Sequence, residues 1–163
     1  MEQQKRNSIH AQLLSIEVDQ FAIFEENLSK DESSSEKNQL EMGITVGFGG
    51  SFQQKGISSS LRFELVRNDK PVVLITTNLF FTVTDQSFKK IYKKKTNSIT
   101  IPRNVAVYIF SQTVGTARGI LFEKASGIDK IKNMFIPILD PEEFVDDDVV
   151  IDFNAVTEEI VNQ

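Results

Sequence analysis

The sequence has no cysteine and no tryptophan, one histidine, two tyrosines and four prolines among its 163 residues. Without cysteine there is no disulfide framework, no thiol nucleophile and no Cys/His metal set. The lone histidine, His10, sits in a polar N-terminal stretch, so no Ser-His-Asp constellation can form elsewhere. Nothing else supplies a nucleophile with its base and oxyanion donors, so no enzyme and no cofactor are expected. No apolar run approaches the ~18 residues of a membrane span, and "MEQQKRNSIH" lacks the apolar segment of a signal peptide. The expectation is a cytoplasmic chain that does not insert into membranes.

What the sequence does have is phenylalanine, at 13 positions, and a glycine-rich stretch, "GITVGFGGSFQQ", at 43–54. A phosphate-binding loop would need Gly-Lys-Ser/Thr ahead of a helix, but Gly50 is followed by Ser51 and Phe52, and no lysine comes until Lys55. The third glycine of a dinucleotide fingerprint is replaced by Phe52. The stretch alternates instead. Met42, Ile44, Val46 and Phe48 fall on one face, and Gly43, Thr45, Gly47 and Gly49 on the other, which is a strand pattern. Glycine within a strand marks a bulge or a close approach by another group. If that group is a bound polypeptide, Gly47→Val should leave the fold largely intact and weaken binding.

Charge is unevenly placed. Residues 141–163 carry eight acids and no lysine or arginine, and the other 140 residues carry 15 acids and 18 basic residues. Such a tail reads as a solvated extension, and Asp146, Asp147 and Asp148 lack the spaced ligands of a calcium loop. The lysines of "FKKIYKKKTN" (Lys89, Lys90, Lys93, Lys94, Lys95) come with one tyrosine and no arginine. In a chain of net charge −5 they read as a solvated loop or short helix, and no nucleic-acid partner is expected.

Along the chain, 11–27 alternates as Leu14, Ile16, Val18 and slips phase near Asp19, as a bulged strand would. A polar, Ser-rich linker covers 28–39. Strands follow at about 40–53 and as a hairpin over 57–83, with "RNDK" before Pro71 as turn chemistry. The four strands predict an antiparallel meander. The period then changes: Ala106, Phe110, Val114, Ala117, Leu121 and Ala125 recur at helical spacing between Pro102 and Gly127. This one long helix is apolar over an arc wider than a single sheet face needs, which predicts that Val105, Ile109, Phe110, Ala117, Ile120 and Leu121 include an oligomer interface. Residues 133–144 read as extended, and 149–161 as a short acidic helix. The predicted fold is α+β: a four-stranded antiparallel sheet on one long helix with a short C-terminal helix. The chain divides into a disordered 1–10, a domain over 11–145 and an acidic tail over 146–163.

The order of these motifs resembles the SecB family of cytosolic export chaperones. A bulged first strand ends in "FEEN" (24–27), and the fourth ends in "NLFFTV" (78–83). The helix carries "TARGILFEKASG" (116–127), and "FIPILDPEEF" (135–144) follows. The resemblance covers roughly 11–145. Val114-Gly115-Thr116 stands where the family has Phe-Pro-Tyr. The resemblance implies an ATP-independent holdase, a dimer of dimers with the helices inside, that binds unfolded or export-bound polypeptides in apolar grooves. It also implies delivery to the motor SecA through acids on the sheet. Glu25 matches one of these, whereas the other two positions fall near Leu74 and Phe21. Divergent members guard antitoxins. Phe gives apolar area without directional demand, and the candidates for groove lining are Phe48, Phe52, Phe80, Phe81, Phe88, Phe135, Ile138 and Phe144. For each, plain core packing is the competing reading. The rival function is a self-assembling structural or regulatory interaction domain.

Overall fold

The structure, a computed structural model, describes residues 9–28 and 40–154. Strands β1 (Ala11–Ile23), β2 (Leu40–Ser51), β3 (Gly56–Arg67) and β4 (Lys70–Val83) are followed by a short helix, α1 (Asp85–Ile91). Strands β5 (Tyr92–Lys93) and β6 (Ser98–Ile101) precede the long helix α2 (Arg103–Ala125), and β7 (Val149–Asp152) closes the described chain. The architecture is α+β, a four-stranded antiparallel sheet with a long helix and a shorter second one.

The sheet is not the meander that consecutive strands suggest. Its order is β1-β4-β3-β2. β2, β3 and β4 are joined by tight turns and must be neighbours. Asn68 (φ 49°) and Asp69 (φ 60°) close the β3–β4 hairpin in the left-handed region, where Asn and Asp are tolerated. The long β1–β2 connection lets β1 take the free side of β4, a Greek-key order. β1 pairs with β4 through two register shifts, one between Val18 and Gln20 where the alternation slips.

α2 lies mainly over β3 and β4 and joins two buried clusters. Phe110, Val114, Ala117, Leu121 and Ala125 pack with Leu61, Phe63 and Ile75. Ala106 and Ile109 pack with Leu79, Phe81 and Ile101. The wide apolar arc of the helix is covered by the chain itself, because 128–145 folds back over it. The Phe144 ring meets Phe110 at 5.6 Å. The Arg118 guanidinium donates to the carbonyls of Ile136 and Pro137, and Ile131, Ile136 and Val145 are buried. This corrects the expected interface: Ile109, Phe110, Ala117 and Leu121 are fully buried within one copy, and Val105 and Ile120 are half-buried. By length and composition α2 could also cross a bilayer, contrary to the reading of the apolar runs, but eight of its side chains are buried in this core.

The two ends of α2 differ from expectation. Gly127 follows the helix without a positive φ, and Ser126 closes the last turn through its N–H to Phe122 O. At the start, Pro102 offers no side-chain cap, and the Arg103 N–H donates to Asp148 Oδ1 at 2.8 Å. The Arg103 side chain reaches Val145 O at 2.8 Å and Glu142. Residues 146–154 are therefore tied back to the domain, while the side chains of Asp146, Asp147 and Asp148 stay exposed. Val149–Asp152 forms a strand paired with β6 instead of the start of a helix, and its side chains alternate half-buried and exposed. The rest of that predicted helix, 155–161, lies outside the described residues. Of the expected disordered N-terminus, 1–8 lie outside them too. Ile9 packs on the core, and His10 is tied by its backbone to Ser87 and Thr84. Losing the distant cap should cost about 1 kcal/mol. Urea unfolding of Asp148→Ala is expected to show that loss while Asp146→Ala and Asp147→Ala show none; equal midpoints for all three would remove the cap from the account.

Candidate binding surface

The glycine strand forms as its alternation requires, with Ile44, Val46 and Phe48 on the helix side against the core. Its bare face is not open. β2 pairs with β3 without a register shift, setting Gly43 opposite Glu64, Gly47 opposite Ser60 and Gly49 opposite Ser58. A Cβ on Gly47 would run into Ser60 Oγ, one on Gly49 into Ser58 Oγ, and one on Gly43 would lie 2.9 Å from Glu64 Cγ. The close approach that the glycines permit is made by side chains of β3, so the expected client backbone is not needed there. Gly47→Val should accordingly cost about 1–2 kcal/mol through overpacking. Because Ser60 Cβ is 3.8 Å away, Ser60→Ala in the same chain should recover most of it. A denaturation cycle giving the same cost with and without Ser60 would refute this steric pairing.

Open apolar surface lies elsewhere. Leu13, Ile16 and Val18 share a face with Phe81, Leu79 and Thr77 of β4, the face that α2 covers farther along the sheet. β1 lies at the sheet edge, beyond α2's main footprint on β3 and β4, and these three side chains remain about half exposed. At the opposite edge, Leu40 and Met42 of β2 are half exposed as well. A cleft runs there between β2 and the loop after α2, lined by Leu40, Leu65, Ile131, Met134 and Phe135 together with the polar Asp129, Lys130 and Asn133. Above it Phe135 is 71% exposed, and Ile138, farther along the loop, is 93% exposed. On α2, Tyr108 and Phe122 project outward, and nothing lies within 4 Å of a Cβ added at Gly115 or Gly119. Helical spacing puts these four on one stripe.

The residues expected to line a groove separate into three groups. Phe81 and Phe88, at 4% and 5% exposure, are core residues, which corrects their assignment to client contact. Phe48 is half-buried and touches both clusters. Phe80 is half-buried on the sheet face away from α2, beside a small cleft with Leu14, Gly56 and Ser58. Phe52, Phe135, Ile138 and Phe144 are exposed. Glu25 is exposed in a 3-10 turn after β1. Leu13, Ile16, Val18, Leu40, Met42, Tyr108 and Phe122 were not expected. Their alternation or helical period was visible, but their exposure depends on which strand lies at the edge and which helix face the loop covers.

Phe52 has a distinct setting. Its ring stands in the β2–β3 turn, 4.9 Å from Tyr92 and 5.9 Å from Phe88, and those two stack at 5.7 Å. In the same turn Lys55 bonds Asp85 at 2.6 Å. That hydrogen bond, with the ammonium charge behind it, holds the Asp85 carboxyl below its ordinary range. Among the described residues, no group of three or more His, Cys, Asp or Glu is placed to hold a metal.

No protein-family model matches the chain, and no curated protein matches it. Among solved structures it is similar to a Mycobacterium tuberculosis SecB-like chaperone in complex with a ChAD peptide from the HigA1 antitoxin. The similarity spans 79% of this chain and 90% of that one, at 11% identity and a TM-score of 0.43.

Proposed function

We propose that the chain is an ATP-independent holdase that binds extended, unfolded polypeptide at uncovered apolar surface beside its sheet edges. The observation that carries this reading is the cleft between β2 and the loop over 129–138. Leu40, Leu65, Met134 and Phe135 contribute the apolar part of its lining, beside Asp129, Lys130 and Asn133 and next to the outer edge of β2, which has no strand partner among the described residues. An extended client would add its backbone to such an edge and place alternate side chains in the cleft. Uncovered apolar surface of this kind marks interaction sites in folded proteins. Client release without nucleotide follows from mass action, since the protein competes only for the unfolded state.

Assembly belongs to the same reading, through different residues from those the sequence suggested. The stripe of Tyr108, Gly115, Gly119 and Phe122 is a saddle with bulky ends and a bare middle. A second copy's α2 laid across it would bury both aromatics, and this two-fold contact is one of the two interfaces that a dimer of dimers with helices inside needs. The rival reading, a self-assembling domain without clients, rests on this same stripe. Light scattering separates them. The protein is expected to be an oligomer at micromolar concentration and to suppress aggregation of a diluted, denatured client without ATP. A verified oligomer that gives no suppression at several-fold excess would establish the structural domain and remove the holdase. Proteins that co-purify with the chain then name its clients. Secretory precursors together with SecA would place it in export, and an antitoxin would place it beside a toxin pair.

A further inference from the structure

The aromatic cluster at Phe52 is built partly on a segment whose charge is opposite in sign to that of the whole chain. Residues 85–101 hold five lysines and a single acid, Asp85, in a chain of net charge −5. Asp85 is already engaged by Lys55. Lys89, Lys93, Lys94 and Lys95 are exposed around α1 and the β5–β6 turn, which carry Phe88 and Tyr92. Phe88 and Tyr92 stack on each other and brace Phe52, whose ring stays half exposed. β5 is the edge of the small sheet, with no partner on its outer side among the described residues. Together these supply an apolar seat, a short backbone edge and a rim of ammonium groups. The solvated-loop reading accounts for the lysines and for nothing about Phe52.

Resting on the holdase reading, we propose that this patch selects clients: it docks an acidic segment of a bound polypeptide, one with Asp or Glu flanking an apolar anchor. The anchor sits on Phe52, and its carboxylates meet the lysine rim. Exposed charge pairs are individually weak, so several must act together, and the effect must fade with salt. A nucleic acid fits less well. The cluster has no arginine for bidentate phosphate contacts, and a long polyanion would run from this patch onto an acidic chain.

The test uses short fluorescent peptides that share one Phe-Ile anchor and differ in their flanks, being Glu, Ser or Lys, and reads binding to the full chain by anisotropy at low and high salt. The Glu peptide is expected to bind about tenfold tighter than the Ser peptide at low salt, the sum of several exposed pairs. The Lys peptide should bind weakest. The doubly substituted Lys93→Glu/Lys94→Glu chain should invert that order, and Lys93→Ser/Lys94→Ser should level it, both at unchanged circular dichroism. Equal binding of all three peptides would overturn the charge selection and leave the holdase standing. Failure of every peptide to bind, together with no suppression of aggregation, would overturn the holdase itself. Tighter binding of a single-stranded oligonucleotide than of the Glu peptide, lost in the doubly substituted chain, would overturn the proposal in favour of nucleic acid.

Discussion

Alanine at Phe110 is expected to lower the unfolding free energy by about 3–5 kcal/mol, the range for deleting a fully buried aromatic ring. The ring has no exposure, packs in the cluster that ties α2 to β3 and β4, and meets Phe144. Its loss leaves a cavity at the point where three layers meet: sheet, helix and the returning loop. The surroundings are close-packed and can collapse only in part. Against a total stability of about 5–15 kcal/mol, such a loss is a large share of the fold. Ile138→Ala, at a side chain 93% exposed and outside the α2 stripe, should change stability by no more than about 0.5 kcal/mol. Urea unfolding of both variants measures the contrast. A Phe110→Ala cost under about 1 kcal/mol would mean that the ring does not hold these layers together.

The second large effect is on binding. Phe135→Asp combined with Ile138→Asp is expected to reduce client capture at least about tenfold, because each places a carboxylate where an apolar client side chain must be desolvated. Both positions are so exposed that the substitutions should leave the unfolding midpoint almost unchanged. Charge at a buried position makes the useful contrast, since Phe81→Asp would act on the core at 4% exposure and abolish folding before it could report on binding. The readout is the amount of protein needed to halve aggregation of a denatured client. Unchanged capture by the doubly substituted oligomer would move the client site away from the 129–138 loop.

The parts of this fold that were legible in the sequence are those fixed by neighbours along the chain. Alternation placed β2, β3 and β4 within a few residues, the Asn68-Asp69 turn joined two of them, and the 3–4 spacing from Ala106 to Ala125 gave α2. The bulge near Asp19 announced itself as a slip in phase. Arrangement in space was another matter. The position of β1 beside β4 depends on a long connection, and so does the exposure of Leu13, Ile16 and Val18. The bare face of β2 was legible as bare, but what fills it stands on β3. The apolar surplus of α2 was real and suggested a second copy, yet most of it is met by Ile131, Ile136 and Phe144 of the same chain. Val149–Asp152 carries both a strand and a helix period over so few residues that only its pairing with β6 decides. For the candidate surface, Phe52, Phe135, Ile138 and Phe144 were found as exposed residues, whereas Phe81 and Phe88 were indistinguishable from them by residue type.

The cap on α2 has a consequence for synthesis. Asp148 lies 45 positions beyond Arg103, whose amide it accepts. A chain made from its N-terminus therefore exposes β1 well before β4 exists to pair with it, and completes α2 well before the group that caps its first turn. The hairpins of β2, β3 and β4 can close as they emerge, being local in sequence. The first strand must wait for the fourth, and the first turn of the helix must wait for the segment that ends in β7. A chain that has emerged from the ribosome only as far as Ala125 would thus hold its sheet and helix with open amides at the helix start and with Phe110 uncovered by Phe144. A polypeptide that we read as a guardian of unfinished proteins is, by this topology, itself unfinished until almost the last of its described residues is released.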